Sequence, residues 1–585
     1  MLHYYTFKQF FPNAQGRLGH DHSYNFPLLL DGYYWFLKNG FFSIPWFTPS
    51  FCGGMPLFAN PATFYLSFPQ YMSFFVDPLS SIKLTFILFA GIGFWGTFCL
   101  LTHIFRTRVW TALLGATLFL FNGFYTYRLI IGHLEFHAFM LVPLFAYFLL
   151  KPKRTRTIPW SWLPARDMII NVLLLTYMFY SGMTQMIIPS MISVIAIAFI
   201  LGISGNPHFD FKSFSFKFVL IGVFSLCLSA SKLVGALSFL SHFPRTSYLL
   251  PGVEGVIKLF VLVSKILALG GVSVVSQEGL TNNQWLMSRH EYEFGITIVP
   301  FLIIGSGLLS AIWTIRSFRG LRIKSCFYCF GLLLLLLIPF LLNFYSPAWN
   351  QVLKNIPIVQ NLSSLLRWFI IYIPIVILLA ALAMEKTPWL SRHGQFVALA
   401  GISMILFLNM TTEKGFYHNE EYEVKPILEA YAHAKISQKP PTINNIAASL
   451  NEKGKTKFSL GRNNAIVQGY SQIICYEPMF GYRLEFLPFK TIRIGPTLLE
   501  NDGLLNIKNP ACYLYPRENQ CTPGDQFRVD QKKEAENFIN FQPFQYEIST
   551  AQKVANWLNL GTLAIAILAL AAYCIFKIRL MLQSL

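Results

Sequence analysis

The chain returns to long apolar runs throughout its length, and that recurrence limits its fold more than any other feature. LTFILFAGIGFWGTFCLLTHI at 84–104 and GLLLLLLIPFLL at 331–342 carry no Asp, Glu, Lys or Arg. In hydrocarbon every backbone N–H and C=O must be paired within its own segment, which leaves the α-helix as the form for such runs. They fall at approximately 82–104, 109–126, 136–150, 168–181, 186–203, 216–233, 297–315, 326–346, 368–384, 395–411 and 556–577. That makes about eleven spans, at the roughly 20 residues a crossing takes. Several runs between 136 and 203 are short, which predicts tilted, broken or paired helices there. Composition agrees. Hydrophobic residues make up 54% and charged residues 12%, about half the charged share of a soluble domain. The 57 Phe and 27 Tyr suit lipid-facing cores and interfacial belts. The expected fold is mainly α, a polytopic transmembrane helical bundle.

The formal net charge of +19 would suggest nucleic acid on a soluble protein. Here its placement suggests topology instead. Arg106 and Arg108 follow the first run, and Lys151, Lys153, Arg154 and Arg156 the third. Lys212 and Lys217 follow the fifth, and Arg316, Arg319, Arg322 and Lys324 the seventh. Lys386 and Arg392 follow the ninth, and Lys577 and Arg579 the last. All fall on one side if each run crosses once, and the positive-inside rule makes that side the cytoplasm. The opposite loops hold Asp21, Asp31, Asp77, Glu135, Glu254, Glu278, Glu291 and Glu293. No nucleic-acid partner is expected.

This orientation puts 1–81, 234–296, 347–367 and 412–553 outside the cytoplasm. The chain divides into a transmembrane module at 1–411, with its first outer loop at 12–81, a soluble domain at 412–553, and a final helix with a short cytoplasmic tail at 554–585. The soluble domain reads as small and α/β, with mixed short elements. The chain opens MLHYYTFKQFFPNAQG, which is neither a signal peptide nor a spanning helix. An N-terminal helix is therefore expected to be missing ahead of the first outer loop. Outside the cytoplasm disulfides persist, and Cys512 and Cys521 in NPACYLYPRENQCTPGD are the expected pair, with Cys475 left over and Cys52 alone in its loop. Cys99, Cys227 and Cys574 sit in apolar runs as small hydrophobes. The lone CxxC of Cys326 and Cys329 has neither a second pair nor a nearby His, so packing is the expected role. There is no GxxxxGK[ST] loop and no GxGxxG.

Asp21 stands between His20 and His22, just before a segment at 24–38 that reads as an interfacial amphipathic helix. One reading makes Asp21 a helix cap, with Ser23 as competitor. The other notes that an acid close to the bilayer is costly unless it is paired or reactive.

Several segments occur in a telling order. GRLGHD, the aromatic helix and WFTPSFCGGMPLFANP come first, then GHLEFHAFMLVPL, YSGMTQ, SASKLVGALSFLSHFPRTS, EFGITIVPFLIIG and LKNIPIVQNLSSLLRWFIIYIPI. Across about residues 17–385 this resembles the bacterial YfhO-like family of the GT-C glycosyltransferase superfamily. The sequence departs from the family at Met183 and Thr184, which replace the usual pair in YSGMTQ. The resemblance implies a GT-C-like bundle in the bacterial cytoplasmic membrane. It implies a transferase that moves a sugar from a polyprenyl-phosphate donor, usually with inversion, to an acceptor outside the cytoplasm. Asp21 is then the base that activates the acceptor hydroxyl. The departing lipid phosphate needs cationic donors, for which the candidates are Arg245, Arg367, Lys232 and Arg289. Arginine's planar fork suits phosphate. Arg367 can instead snorkel to the interface, Arg245 be solvated, and Lys232 anchor a span end. His133, Glu135 and His137 lie at an outer edge, as acceptor contacts or a polar helix cap, and Glu135 and His137 can join Asp21 around a divalent metal. Glu291 and Glu293 can orient sugar hydroxyls or simply begin a span. The rival functions are a lipid-linked oligosaccharide transporter or flippase, a polysaccharide polymerase or ligase, and a non-enzymatic membrane scaffold.

Overall fold

The computed structural model describes residues 1–10, 21–152, 163–242, 250–269, 289–314, 323–356, 359, 362, 364–412, 422–448, 463–473, 475 and 492–583. Arg245 lies outside them.

Among the described residues eight helices are long and apolar enough to cross a membrane. They are Pro78–Ile104, Val109–Ile130, Thr184–Ile203, Phe211–Leu228, Cys326–Asn343, Leu366–Lys386, Gly394–Thr411 and Thr550–Ile575. Two shorter apolar helices, Leu134–Leu150 and Val299–Ile312, fall on two further apolar runs, and Leu163–Tyr180 is helical on another. The chain is thus a helical membrane protein. Val109–Ile130, Thr184–Ile203 and Leu366–Lys386 are buried over most of their length, whereas Thr550–Ile575 is buried over only 6% and Cys326–Asn343 over 11%. The first three form the centre, and the last two present their apolar surface outward.

Breaks occur where short runs predict them, and elsewhere too. Leu134–Leu141 is a 3-10 turn that passes into helix Val142–Leu150. The run expected to cross at 216–233 is divided instead. Helix Phe211–Leu228 ends at Ser229, and Ala230–His242 starts a new one. A break also separates Val109–Leu120 from Gly123–Ile130, where the Asn122 side chain caps the second helix at Tyr125 N.

The segment expected as an interfacial amphipathic helix is helix His22–Asn39, but it lacks the exposed polar face of one. It is buried on nearly all sides from His22 to Phe36. The cause lies in what closes over it. Tyr33 packs 4.7 Å from Tyr431 of helix Lys425–Ser437, and Tyr34 packs 5.6 Å from Phe541. The Tyr431 hydroxyl donates to Ser73 O at 2.6 Å. Asp31, also buried, accepts hydrogen bonds from Thr48, Ser50 and Tyr65 and so ties the following loop to the helix.

The C-terminal region holds short mixed elements. Strand Asn445–Ala447 pairs parallel with Tyr470–Gln472 and antiparallel with Gly495–Pro496. Leu504–Lys508 runs antiparallel between Glu500–Asn501 and Gln526–Arg528. This region is fastened to the first loop at Cys52-Gly53-Gly54, three successive left-handed residues with φ of 52, 68 and 113°. Such angles favour glycine. Cys52 is disulfide-bonded to Cys475, correcting the expectation that both stand unpaired. Gly53 N donates to Ser471 Oγ at 3.0 Å, and Gly53 O accepts from Lys508 N at 2.9 Å. Cys512 and Cys521 are bonded to each other.

Candidate functional site

The N-terminal end of helix His22–Asn39 is set against the chain just beyond helix Gly123–Ile130. Asp21 N donates to Ile131 O at 2.8 Å. Gly132 makes the approach possible. Its φ is +99°, and a Cβ there would stand 2.7 Å from the Asp21 carbonyl carbon. Asp21 occupies the N-cap position, yet its carboxylate caps nothing. It meets His133 instead, with Asp21 Oδ2 2.5 Å from His133 Nε2. The helix-cap reading of Asp21 is therefore set aside.

The other ring nitrogen, His133 Nδ1, lies 3.2 Å from Arg128 Nη1. Arg128 is fully buried. It makes a two-pronged pair with Glu291, at 2.8 and 2.7 Å. Arg367 joins the same carboxylate at 2.6 Å and also donates to Gln185 Oε1 at 2.8 Å. Burial alone would raise the Glu291 carboxyl, but the Arg128 and Arg367 guanidiniums hold it well below the usual carboxylate range. The Phe136 ring sits 5.7 Å from Arg128 and 5.4 Å from Arg367, a cationic group on each. Burial and the Arg128 charge also push His290 well below its ordinary value.

Five separated stretches thus converge, at Asp21, 128–133, Gln185, 289–293 and Arg367. Their exposure is graded. Side chains of Arg128 and Glu291 are 0% and 5% exposed, whereas Asp21, His133 and Arg367 reach 20%, 10% and 13%. The accessible edge thus carries an acid, an imidazole and a guanidinium. Two arginines share one Glu291, which leaves one positive charge in excess within that trio. Ion pairs of this kind cost desolvation and are kept where they are well hydrogen-bonded.

The remaining candidates divide. Arg289 pairs with Glu293 at 2.9 Å, both nearly buried, beside the trio in sequence. Glu135 lies within electrostatic reach of His133, Asp21 and Arg367. His137 turns away, with Nδ1 2.5 Å from Leu134 O and Nε2 2.6 Å from the Tyr177 hydroxyl. Asp21, Glu135 and His137 therefore do not form a metal set, and among the described residues no group of three or more His, Cys, Asp or Glu is placed to hold a metal. Lys232 is also elsewhere. Its buried ammonium donates to Phe58 O, Asn60 O and Thr63 O at 3.3–3.4 Å and to Thr63 Oγ1 at 3.2 Å, holding the first loop closed. Neither phosphate contact nor a simple span anchor describes it. Arg367 does not snorkel, because Glu291 and Gln185 hold its guanidinium in place. Glu291 does not simply begin a span, being the acid between two arginines.

Arg128 and Gln185 were not among the expected site residues. The signal for Arg128 was present as one arginine in the apolar stretch FYTYRLIIG, since an ionisable group in such a run needs a partner. Gln185 stood in YSGMTQ without a stated role. In that segment Thr184 Oγ1 donates to Pro61 O at 3.0 Å, and Met183 is buried. No family model, curated protein or solved structure matched the chain.

Proposed function

We propose that the chain is a GT-C-type membrane glycosyltransferase of the bacterial cytoplasmic membrane. It transfers a sugar from a polyprenyl-phosphate donor to an extracytoplasmic acceptor, with inversion, in a bundle of about eleven spans. The observation that carries the reading is the junction of Asp21, through His133, with the buried Arg128–Glu291–Arg367 cluster.

In this reading Asp21 accepts the proton of an acceptor hydroxyl as its oxygen attacks the anomeric carbon. A new C–O bond forms on one face while the bond to the phosphate oxygen breaks on the other. Polyprenyl phosphate leaves with the electron pair, and the excess positive charge of the arginine pair, presented at Arg367, stabilises it. His133 holds the Asp21 carboxylate in place, and Gln185 holds Arg367. Arg289 and Glu293, paired together, shape the wall beside Glu291, and Glu135 adds a carboxyl facing the acceptor.

The test is surface-glycan mass spectrometry on cells carrying the wild-type chain or Asp21→Asn, once a wild-type product has been established. The reading predicts that this product disappears from cells carrying Asp21→Asn at equal protein abundance. An unchanged product would remove the assigned role of Asp21.

A further inference from the structure

Helix Val256–Ala268 is apolar on two opposite faces. Leu259, Leu262, Val263, Ile266 and Leu267 are buried against the rest of the chain. Ile257 and Val261, four positions apart, turn the other way, with Phe260 beside them on the flank; all three are exposed, Ile257 by 81% and Phe260 by 62%. A helix whose outer face met water would carry polar residues there. Its 13 residues rise about 20 Å, short of the ~30 Å hydrocarbon core, so the helix cannot cross a bilayer.

The charges show what covers that face. Lys258 and Lys265 are both exposed. They stand seven positions apart, close to two full turns, and so share one flank between the buried and exposed apolar faces. An apolar face edged by lysines matches the membrane boundary, where rings and branched chains enter the acyl region and ammonium groups rise to the phosphates. The helix is also joined to the candidate site, since Ile296 N donates to Leu267 O at 2.8 Å a few residues beyond Glu291.

We propose that helix Val256–Ala268 lies in the membrane boundary and binds anionic phospholipids of the surrounding bilayer. Ile257 and Phe260 sit among acyl chains, and Lys258 and Lys265 hold the phosphates. The inference does not depend on the transferase reading.

The test uses the full chain with both disulfides intact and Cys99, Cys227, Cys326, Cys329 and Cys574 replaced by Ser. A spin label is placed at Ile257→Cys or, as an aqueous reference, at the exposed Asp502→Cys, in vesicles of phosphatidylcholine and phosphatidylglycerol. The label at position 257 should favour collision with dissolved oxygen over a water-soluble nickel chelate, several-fold more than the label at 502. Equal ratios would overturn the placement. In the second arm, phosphatidylglycerol retained over phosphatidylcholine is counted by native mass spectrometry. Each lysine near an anionic surface is worth about a five-fold preference, so Lys258→Gln with Lys265→Gln should lower it roughly 25-fold. The depth at position 257 and the thermal midpoint should stay unchanged. An unaltered lipid preference would overturn the phosphate contact.

Discussion

Arg128 fixes the direction of the proton on His133. An arginine carries only donors, so His133 Nδ1, 3.2 Å from Arg128 Nη1, accepts. The ring proton then sits on Nε2 and points at Asp21 Oδ2, 2.5 Å away. Nitrogen NMR of the labelled His133 ring should show a protonated Nε2 and a bare Nδ1. Arg128→Leu should release the preference. A protonated Nδ1 in the wild-type chain would contradict the arrangement.

Removing the shared acid should be costly. Glu291→Gln leaves Arg128 and Arg367 facing each other without the carboxylate they share, in a nearly closed space. Breaking a buried pair in this way costs about 3–5 kcal/mol. Thermal unfolding in lipid nanodiscs should show a large drop in midpoint. Adding Arg128→Met should restore part of it, with a coupling of about 0.5–3 kcal/mol. Strictly additive losses would mean that the two side chains do not share the energy.

Asp31 gives a dependence on pH. Burial pushes its carboxyl up from 3.8 to about 6, against the pull of the Ser50, Thr48 and Tyr65 hydroxyls. A raised acid binds its proton more tightly in the folded chain. The associated stability is complete below the ordinary value and is lost as pH rises through about 6, on the order of 3 kcal/mol for this shift. Unfolding midpoints measured from pH 4 to pH 7 should fall more steeply in the wild-type chain than in Asp31→Asn. Identical slopes would place the dependence elsewhere.

The bond between Cys52 and Cys475 closes a sequence separation of 423, against 9 for Cys512 and Cys521. Closing a longer loop removes more entropy from the unfolded chain, typically about 2–5 kcal/mol overall. Cys52→Ser with Cys475→Ser should therefore lower the unfolding midpoint more than Cys512→Ser with Cys521→Ser. Peptide mapping without reductant should recover a cross-linked pair containing Cys52 and Cys475. An equal or reversed order would show that the two regions stay docked without the covalent tie.

Local chemistry made the helices legible, because an apolar run in lipid has one backbone solution. Asp21, His133, Glu291 and Arg367 could be singled out because charged groups are conspicuous in so apolar a chain. Their connection was not legible. Glu291 faces Arg128 across 163 positions and Arg367 across 76, and hydropathy carries no information about such pairings. The burial of helix His22–Asn39 was hidden for the same reason. Its outer face is covered by residues such as Tyr431 and Phe541, far along the chain. Cys475 appeared unpaired because Cys52 lies in a different segment, brought to it by the left-handed turn at Gly53 and Gly54.

The proposed chemistry rests on Asp21 taking a proton from the acceptor. The direct measurement is single-turnover sugar transfer from a polyprenyl-phosphate donor by the full chain in nanodiscs, wild type against Asp21→Asn. General-base loss predicts a rate lower by about 10²–10⁴-fold with donor binding little changed, because the proposed donor contacts lie at Arg367. Equal rates for the two chains would contradict the role of Asp21.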